Sequence, residues 1–310
     1  MKKFFLLLTA AVMTVGVMSA QDLNKAIEAA NNGNEAFQLG EYQMALDAFK
    51  NSLTIAEGLG ETGAEHANTC KTAICNIYLA FSKNLIKTSD FDGALEKLNE
   101  TISVAEGYGA EDTATEAKNL IPQVYMQKGN TAYKAKDMAN AIAAYTKVTE
   151  LDPTNGNAYL LIGRAFAGVG KVDEAVAAYE KAAANGEEKD AKKQLSNLFL
   201  KKAQACMKNK DNQGTIDNAL KANEYLENAN AYKLAASAAQ KMGNNAKCIE
   251  FYEKYLEVKP NAKDAAGVTF TIAALYQQAG NKAKAIENYT KVASDPQFGA
   301  GAQEQLKTLK

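Results

Sequence analysis

Tryptophan is absent from this chain of 310 residues, proline occurs four times, and histidine occurs once, as His66. So little proline excludes collagen-like or polyproline architecture. No acid or nucleophile evidently pairs with the single histidine, so His66 reads as a surface or helix-packing residue. The four cysteines, Cys70, Cys75, Cys206 and Cys248, form no C-x-x-C and no Cys/His ligand cluster, which argues against a zinc or thiol-redox motif. No glycine-rich phosphate loop and no G-x-S-x-G is present. The chain therefore reads as no enzyme, with no cofactor and no metal implied. Charge of one sign is lacking too. The formal net charge is −1, and loss of Lys2 and Lys3 with a leader leaves −3. That field is too weak to imply a nucleic acid or an anionic membrane as partner.

What is present favours helix. Apolar residues make up 47% and charged residues 23%, enough for a packed core in a structured chain. At the N-terminus, Met1-Lys2-Lys3 precedes an apolar run from Phe4 to Met18, too short for a comfortable membrane span of about 20 residues. Small Ser19-Ala20 then precede polar Gln21-Asp22. This is the pattern of a cleaved secretory leader over residues 1–20, with no cysteine near the cut for a lipid anchor. It predicts an exported protein, periplasmic or secreted, with no membrane span once the leader is removed.

Internal periodicity organises the rest. Seven segments share a small or near-small anchor: Ala45, Ala94, Ala141, Ala175, Thr215, Cys248 and Ala285. An aliphatic residue follows each anchor. Four residues beyond it stands Phe49, Leu98, Tyr145, Tyr179, Ala219, Tyr252 or Tyr289. Twelve residues before it stands another small residue: Gly33, Ser82, Gly129, Gly163, Ala203, Ala236 or Ala273. Small residues on two helices let their axes approach closely, and an aromatic four residues away fills the space beside the crossing. Gly40, Gly170, Gly243 and Gly280, five before their anchors, read as left-handed helix ends. Pro153 and Pro260 stop second helices. Pro122 lies inside a long first helix and should kink or restart it. The extra residues near Asn185-Gly186 should end one helix and begin a longer one. Cys70 and Cys75 point apart on one helix. Cys206 and Cys248 fall in consecutive repeats, where buried separate thiols are the primary reading and a disulfide the other.

This pattern resembles the tetratricopeptide repeat. The segment "YLLIGRAFAGVGKVDEAVAAYEKAA" carries the resemblance at Tyr159, Gly163, Phe166, Ala175 and Tyr179. It implies an all-α fold: a right-handed solenoid of about seven antiparallel helix pairs with a C-terminal capping helix. The array should run continuously over 21–310, with long repeats over about 24–121, regular repeats over about 122–297 and a capping helix over about 298–310.

The resemblance further implies a non-catalytic scaffold whose first helices line a concave groove. Polar residues offset from the packing face supply the groove: Asn76, Lys83, Asn130, Asn157, Arg164, Asn197, Lys201, Gln204, Lys208, Asn230, Lys233 and Lys241. They are amides and cations without a carboxylate, which favours acidic or neutral segments of other exported or envelope proteins. Asn76, Asn157, Asn197 and Asn230 recur at one repeat position, and amides there can bond an extended peptide backbone. Arg164 is the only arginine, and its planar fork suits a carboxylate. The family's carboxylate clamp is not intact, because Leu161 stands where a second Asn is needed. Two other readings are a carbohydrate-binding helical protein, given fourteen tyrosines, and a structural homo-oligomer.

Overall fold

The computed structural model describes residues 17–309, with side chains from Gln21 onward. The expected leader lies outside this range except for residues 17–20, which open the first helix. Among the described residues there is no strand. The helices follow in antiparallel pairs: α1 (Val17–Leu39) with α2 (Tyr42–Gly58), α3 (Ala64–Lys87) with α4 (Phe91–Gly107), and α5 (Glu111–Lys134) with α6 (Met138–Leu151). These three pairs form one compact unit that ends at Asp152. A second unit starts at Pro153. It contains α7 (Gly156–Gly168) with α8 (Val172–Ala182), α9 (Glu188–Lys208) with α10 (Asn212–Tyr225), α11 (Ala229–Lys241) with α12 (Asn245–Val258), and α13 (Ala265–Gln278) with α14 (Lys282–Val292). A last helix, α15 (Gly299–Thr308), lays Leu306 and Leu309 against Ala273, Ala285 and Tyr289. The all-α array of seven helix pairs expected from the repeat is present.

Each pair turns by the same chemistry. The residue four before each anchor donates its N–H to the carbonyl five residues earlier: Glu41 to Ala36, Asp90 to Leu85, Asp137 to Ala132, Lys171 to Phe166, Asp211 to Cys206, Asn244 to Ala239 and Asn281 to Tyr276, all at 2.9–3.0 Å. This Schellman closure satisfies an orphan carbonyl and needs positive φ at the intervening residue. Gly40, Gly170, Gly243 and Gly280 supply it in four turns, while Ser89, Lys136 and Lys210 adopt φ of 62–64° in the others. The same turn also starts the second helix. Asp90, Asp137, Asp211, Asn244 and Asn281 accept the N–H three residues on, at 2.8–3.2 Å. Glu41 and Lys171 make no such cap bond.

Within a pair, the small residue admits the ring. A Cβ added at Gly33, Gly129 or Gly163 would lie 2.5–2.6 Å from Phe49, Tyr145 or Tyr179 respectively. Those rings are buried. The alanine-rich seam continues between pairs, with Ala231, Ala235, Ala236, Ala238 and Ala239 of α11 all fully buried.

Two expectations meet the structure at irregular places. α5 runs on through Pro122 and does not restart there. The Gln123 amide donates to the Asn119 carbonyl at 3.2 Å, adding a donor beside the carbonyl row the ring disturbs. Between α8 and α9, Asn185 (φ −112, ψ 37) and Gly186 (φ 95) break the rod, so α9 starts afresh. The Asn185 side chain donates to the Lys181 carbonyl at 2.8 Å.

Candidate partner-binding site

The twelve groove residues do not share one fate. In the first unit, Lys83 reaches across from α3 to Glu116 of α5 at 2.6 Å. The Asn130 carbonyl oxygen accepts the Tyr145 hydroxyl at 2.8 Å, tying α5 to α6. In the second unit, Lys233 pairs with Asp264, whose other oxygen accepts the Tyr255 hydroxyl at 2.6 Å. These contacts hold the Asp264 carboxyl below its ordinary range, the Lys233 hydrogen bond first and the Tyr255 bond second. Burial, then the Asp264 bond, pushes Tyr255 up to about 12. Lys83, Asn130 and Lys233 therefore serve the fold. Lys208 and Lys241 occupy the last turns of α9 and α11, as Lys87 and Lys134 do in α3 and α5. Cations there complement the negative end of the helix macrodipole.

The others remain unpartnered among the described residues. Asn76, Asn157, Asn197 and Asn230 are exposed. Asn157 and Asn230 are not helix caps, because Asn155 and Asn228 hold those positions. Three unpartnered residues line one cleft of about 420 Å³, formed by Ala167 of α7, Tyr179 of α8, and Gln194, Asn197, Leu198, Leu200, Lys201 and Gln204 of α9. Arg164 lies three residues before Ala167, on the same face of α7, and is half-buried. The floor is apolar and the rim carries amides and a cation. None of the lining residues is a carboxylate. Gln194, Ala167 and the leucines escaped the sequence reading, although Gln194 sits three residues before Asn197 on its face of α9.

Comparison with known proteins fits this architecture. Residues 132–198 and 229–262 each match a family model of the tetratricopeptide repeat. These segments are tetratricopeptide repeats. No curated protein sequence matches the chain. Among solved structures it is similar to MamA, with 23% identity over 59% of this chain and 96% of MamA and a TM-score of 0.34. It is similar to YrrB, described as a TPR protein with an unusual peptide-binding site, with 20% identity over 58% of this chain and 91% of YrrB and a TM-score of 0.32. It is also similar to the TPR domain of P58(IPK), with 14% identity over 93% of this chain and 97% of that domain and a TM-score of 0.28.

The repeats also explain the residues that chemistry might claim. His66 is buried between helices, the second of its two readings, and hydroxyl and thiol groups that the sequence did not place near it lie beside it. Its Nε2 lies 2.9 Å from the Ser52 hydroxyl, and the Cys70 thiol lies 3.2 Å from the same oxygen. Ser52 donates its one proton to the Ala26 carbonyl at 2.6 Å. Its oxygen is then the acceptor for His66 and Cys70. The imidazole carries its proton on Nε2 and cannot take one from Ser52, so this triplet pins α1, α2 and α3 together. All four cysteines are free in this structure, with Cys206 and Cys248 as two separate thiols. Burial raises Cys70 and Cys75, and pushes Cys248 up to about 11, so the thiols stay protonated and inert. Tyr78, Tyr145, Tyr179, Tyr252, Tyr255 and Tyr289 are buried in the repeat core. The large exposed aromatics among the described residues are Phe37 in α1 and Tyr108 at the end of α4. No described helix is long and apolar enough to cross a membrane.

Proposed function

We propose that this chain is a non-catalytic protein-interaction module of the cell envelope. It holds an extended segment of another exported protein against the first helices of its second unit. The observation that carries the reading is the α7–α9 cleft, where Asn197, Lys201 and Gln204 stand without internal partners, with Arg164 one helical turn before the lining Ala167. Of the other groove residues, Lys83, Lys233 and Asn130 are drawn into ion pairs or hydrogen bonds of the fold, whereas Asn76, Asn157 and Asn230 are exposed and do not line the cleft. A polar side chain left unpaired at a partly apolar cleft gains most from an external partner. Apolar Phe4–Met18 behind Lys2-Lys3 supports export, with Gln21 as the mature N-terminus.

A photo-crosslinking residue at Gln204 tests the cleft against one at Asp217, exposed on the second helix α10. Crosslinks from Gln204 alone to an exported protein are expected. Equal capture from both positions refutes the cleft. The mass of the protein recovered from cells tests export: a species beginning at Gln21 supports it, and a species retaining Met1–Ala20 contradicts it.

A further inference from the structure

We infer that the α7–α9 cleft selects an internal acidic side chain next to an aliphatic one, in an extended segment that continues on both sides. The inference rests on the cleft being the binding site and adds the chemistry of its occupant. Three features of the cleft carry it.

The first is charge. Lys201 lines the cleft and is exposed, Arg164 stands one helical turn before the lining Ala167 and is half-buried, and neither makes an ion pair or hydrogen bond with a described residue. Four first-helix cations have carboxylates brought to them: Lys71 meets Glu57, Lys83 meets Glu116, Lys128 meets Asp92, and Lys233 meets Asp264. At the cleft no carboxylate lines the wall. A carboxylate from outside completes what those pairs complete internally, and a half-buried guanidinium suits it with two parallel N–H donors. A basic segment meets repulsion there and no compensating acid.

The second is the floor. Ala167, Leu198, Leu200 and Tyr179 supply the apolar part of the wall of a cleft of about 420 Å³, within the ~300–1,000 Å³ of small-ligand pockets. Leu198 and Lys201 are one helical turn apart on α9, so apolar and cationic contacts fall side by side. A segment using both needs an aliphatic side chain and an acid as neighbours. Charge alone, as in a polyphosphate or a simple anion, leaves the floor uncovered.

The third is position along the helix. Lys201 is not at the end of the polar stripe. Gln194 and Asn197 precede it on its face, and Gln204 follows, all lining the cleft. Amides pair with backbone N–H and C=O alike. A cation with amides on both sides matches a carboxylate in mid-segment. A chain terminus at Lys201 leaves the amides on one side without backbone to bond.

Fluorescence anisotropy with short peptides of Ser, Thr and Gly tests this. All are acetylated and amidated, and they differ only in a central pair: Leu-Asp, Leu-Asn, Ser-Asp or Leu-Lys. The Leu-Asp peptide should bind tightest. Leu-Asn and Ser-Asp should each bind about tenfold more weakly, the size of one charge-assisted contact or one buried aliphatic group. Leu-Lys should not bind. The charge swap gives the decisive arm: with Lys201→Glu and Arg164→Gln, Leu-Lys should overtake Leu-Asp. Circular dichroism of that variant should be unchanged, since both side chains lack partners in the fold. A free C-terminal carboxylate placed directly after Leu should gain nothing over the amidated Leu-Asp peptide. Preference for that free terminus, or equal binding of Leu-Asp and Leu-Lys, overturns the inference. If Leu-Asp binds but crosslinks outside α7–α9, the cleft itself fails as the site. If peptides bind in the cleft without regard to charge, the cleft stands and the occupant's chemistry fails.

Discussion

Lys136 is held at φ 62°, where four of its six counterparts in the other turns have glycine. Replacing it with glycine should stabilise the protein. A residue with a Cβ pays about 1–2 kcal/mol in the left-handed region. Glycine removes that strain but loses about 0.5–1 kcal/mol through its freer unfolded chain. The net gain for Lys136→Gly is then about 0.5–1 kcal/mol. Lys136 is exposed and its side chain has no partner among the described residues, so little contact energy is lost. Lys210→Gly and Ser89→Gly should behave alike. The three turns share no residues and join different helices, so their effects should add to about 2 kcal/mol.

The assay is urea unfolding followed by helicity. Taking a slope near the upper end of about 1–3 kcal/mol/M, each substitution should raise the midpoint by roughly 0.3 M and the triple by roughly 0.7 M. The converse is Gly170→Ala. An added Cβ meets nothing within 4 Å there, yet φ is 77°. Its cost, about 1 kcal/mol or more, would be purely that of the backbone. Lys136→Ala separates strain from charge, because alanine keeps the Cβ and removes the ammonium from the helix end. If Lys136→Gly leaves the midpoint unchanged or lower, and Gly170→Ala is also neutral, these turns do not carry left-handed strain and the reasoning fails.

Other outcomes follow from the same geometry. Gly163→Ala sets a methyl 2.6 Å from the Tyr179 ring, so the α7–α8 pair must spread, with a loss of about 1–3 kcal/mol by urea unfolding. Lys171→Asp supplies the cap that five other turns possess and should add about 1 kcal/mol in the same assay. Asp264 has its folded pKa depressed by Lys233 and Tyr255, so its contribution is full above the ordinary carboxylate value and is lost as pH falls through the folded value. Asp264→Asn should flatten that acid limb of stability, read as urea midpoints across pH. Because Cys206 and Cys248 are free, a reducing agent should leave the melting temperature unchanged, and a drop would reveal a bridge.

The pairing of helices was legible because each repeat position answers a local demand. A ring four past the anchor needs a small residue twelve before it, as Gly163 and Tyr179 show. The turns were half legible. Gly40 and Gly170 announced left-handed ends, while Ser89, Lys136 and Lys210 did not, since nothing in their side chains favours positive φ. The signal lay one residue later, in Asp90, Asp137 and Asp211, whose caps mark the same turn. The helix-packing role of His66 was legible but its partner was not, because Ser52 lies 14 residues upstream on another helix and is itself bound to the Ala26 carbonyl of a third.

The site was the least legible part, and the reason is specific. Lys83, Lys201 and Lys233 look alike as exposed cations on first helices. What separates them is an acid downstream, on or at the start of the next first helix. Glu116 lies 33 residues after Lys83, and Asp264 lies 31 after Lys233. At those offsets from Lys201 stand Tyr232 and Leu234, and from Arg164 stand Leu195 and Asn197. In a stacked array, one repeat of sequence is one step to the neighbouring helix. Lys83 and Lys233 find their acid on or at the start of the next first helix and brace the stack, while Lys201 and Arg164 find none at those offsets and are left to face a partner from outside.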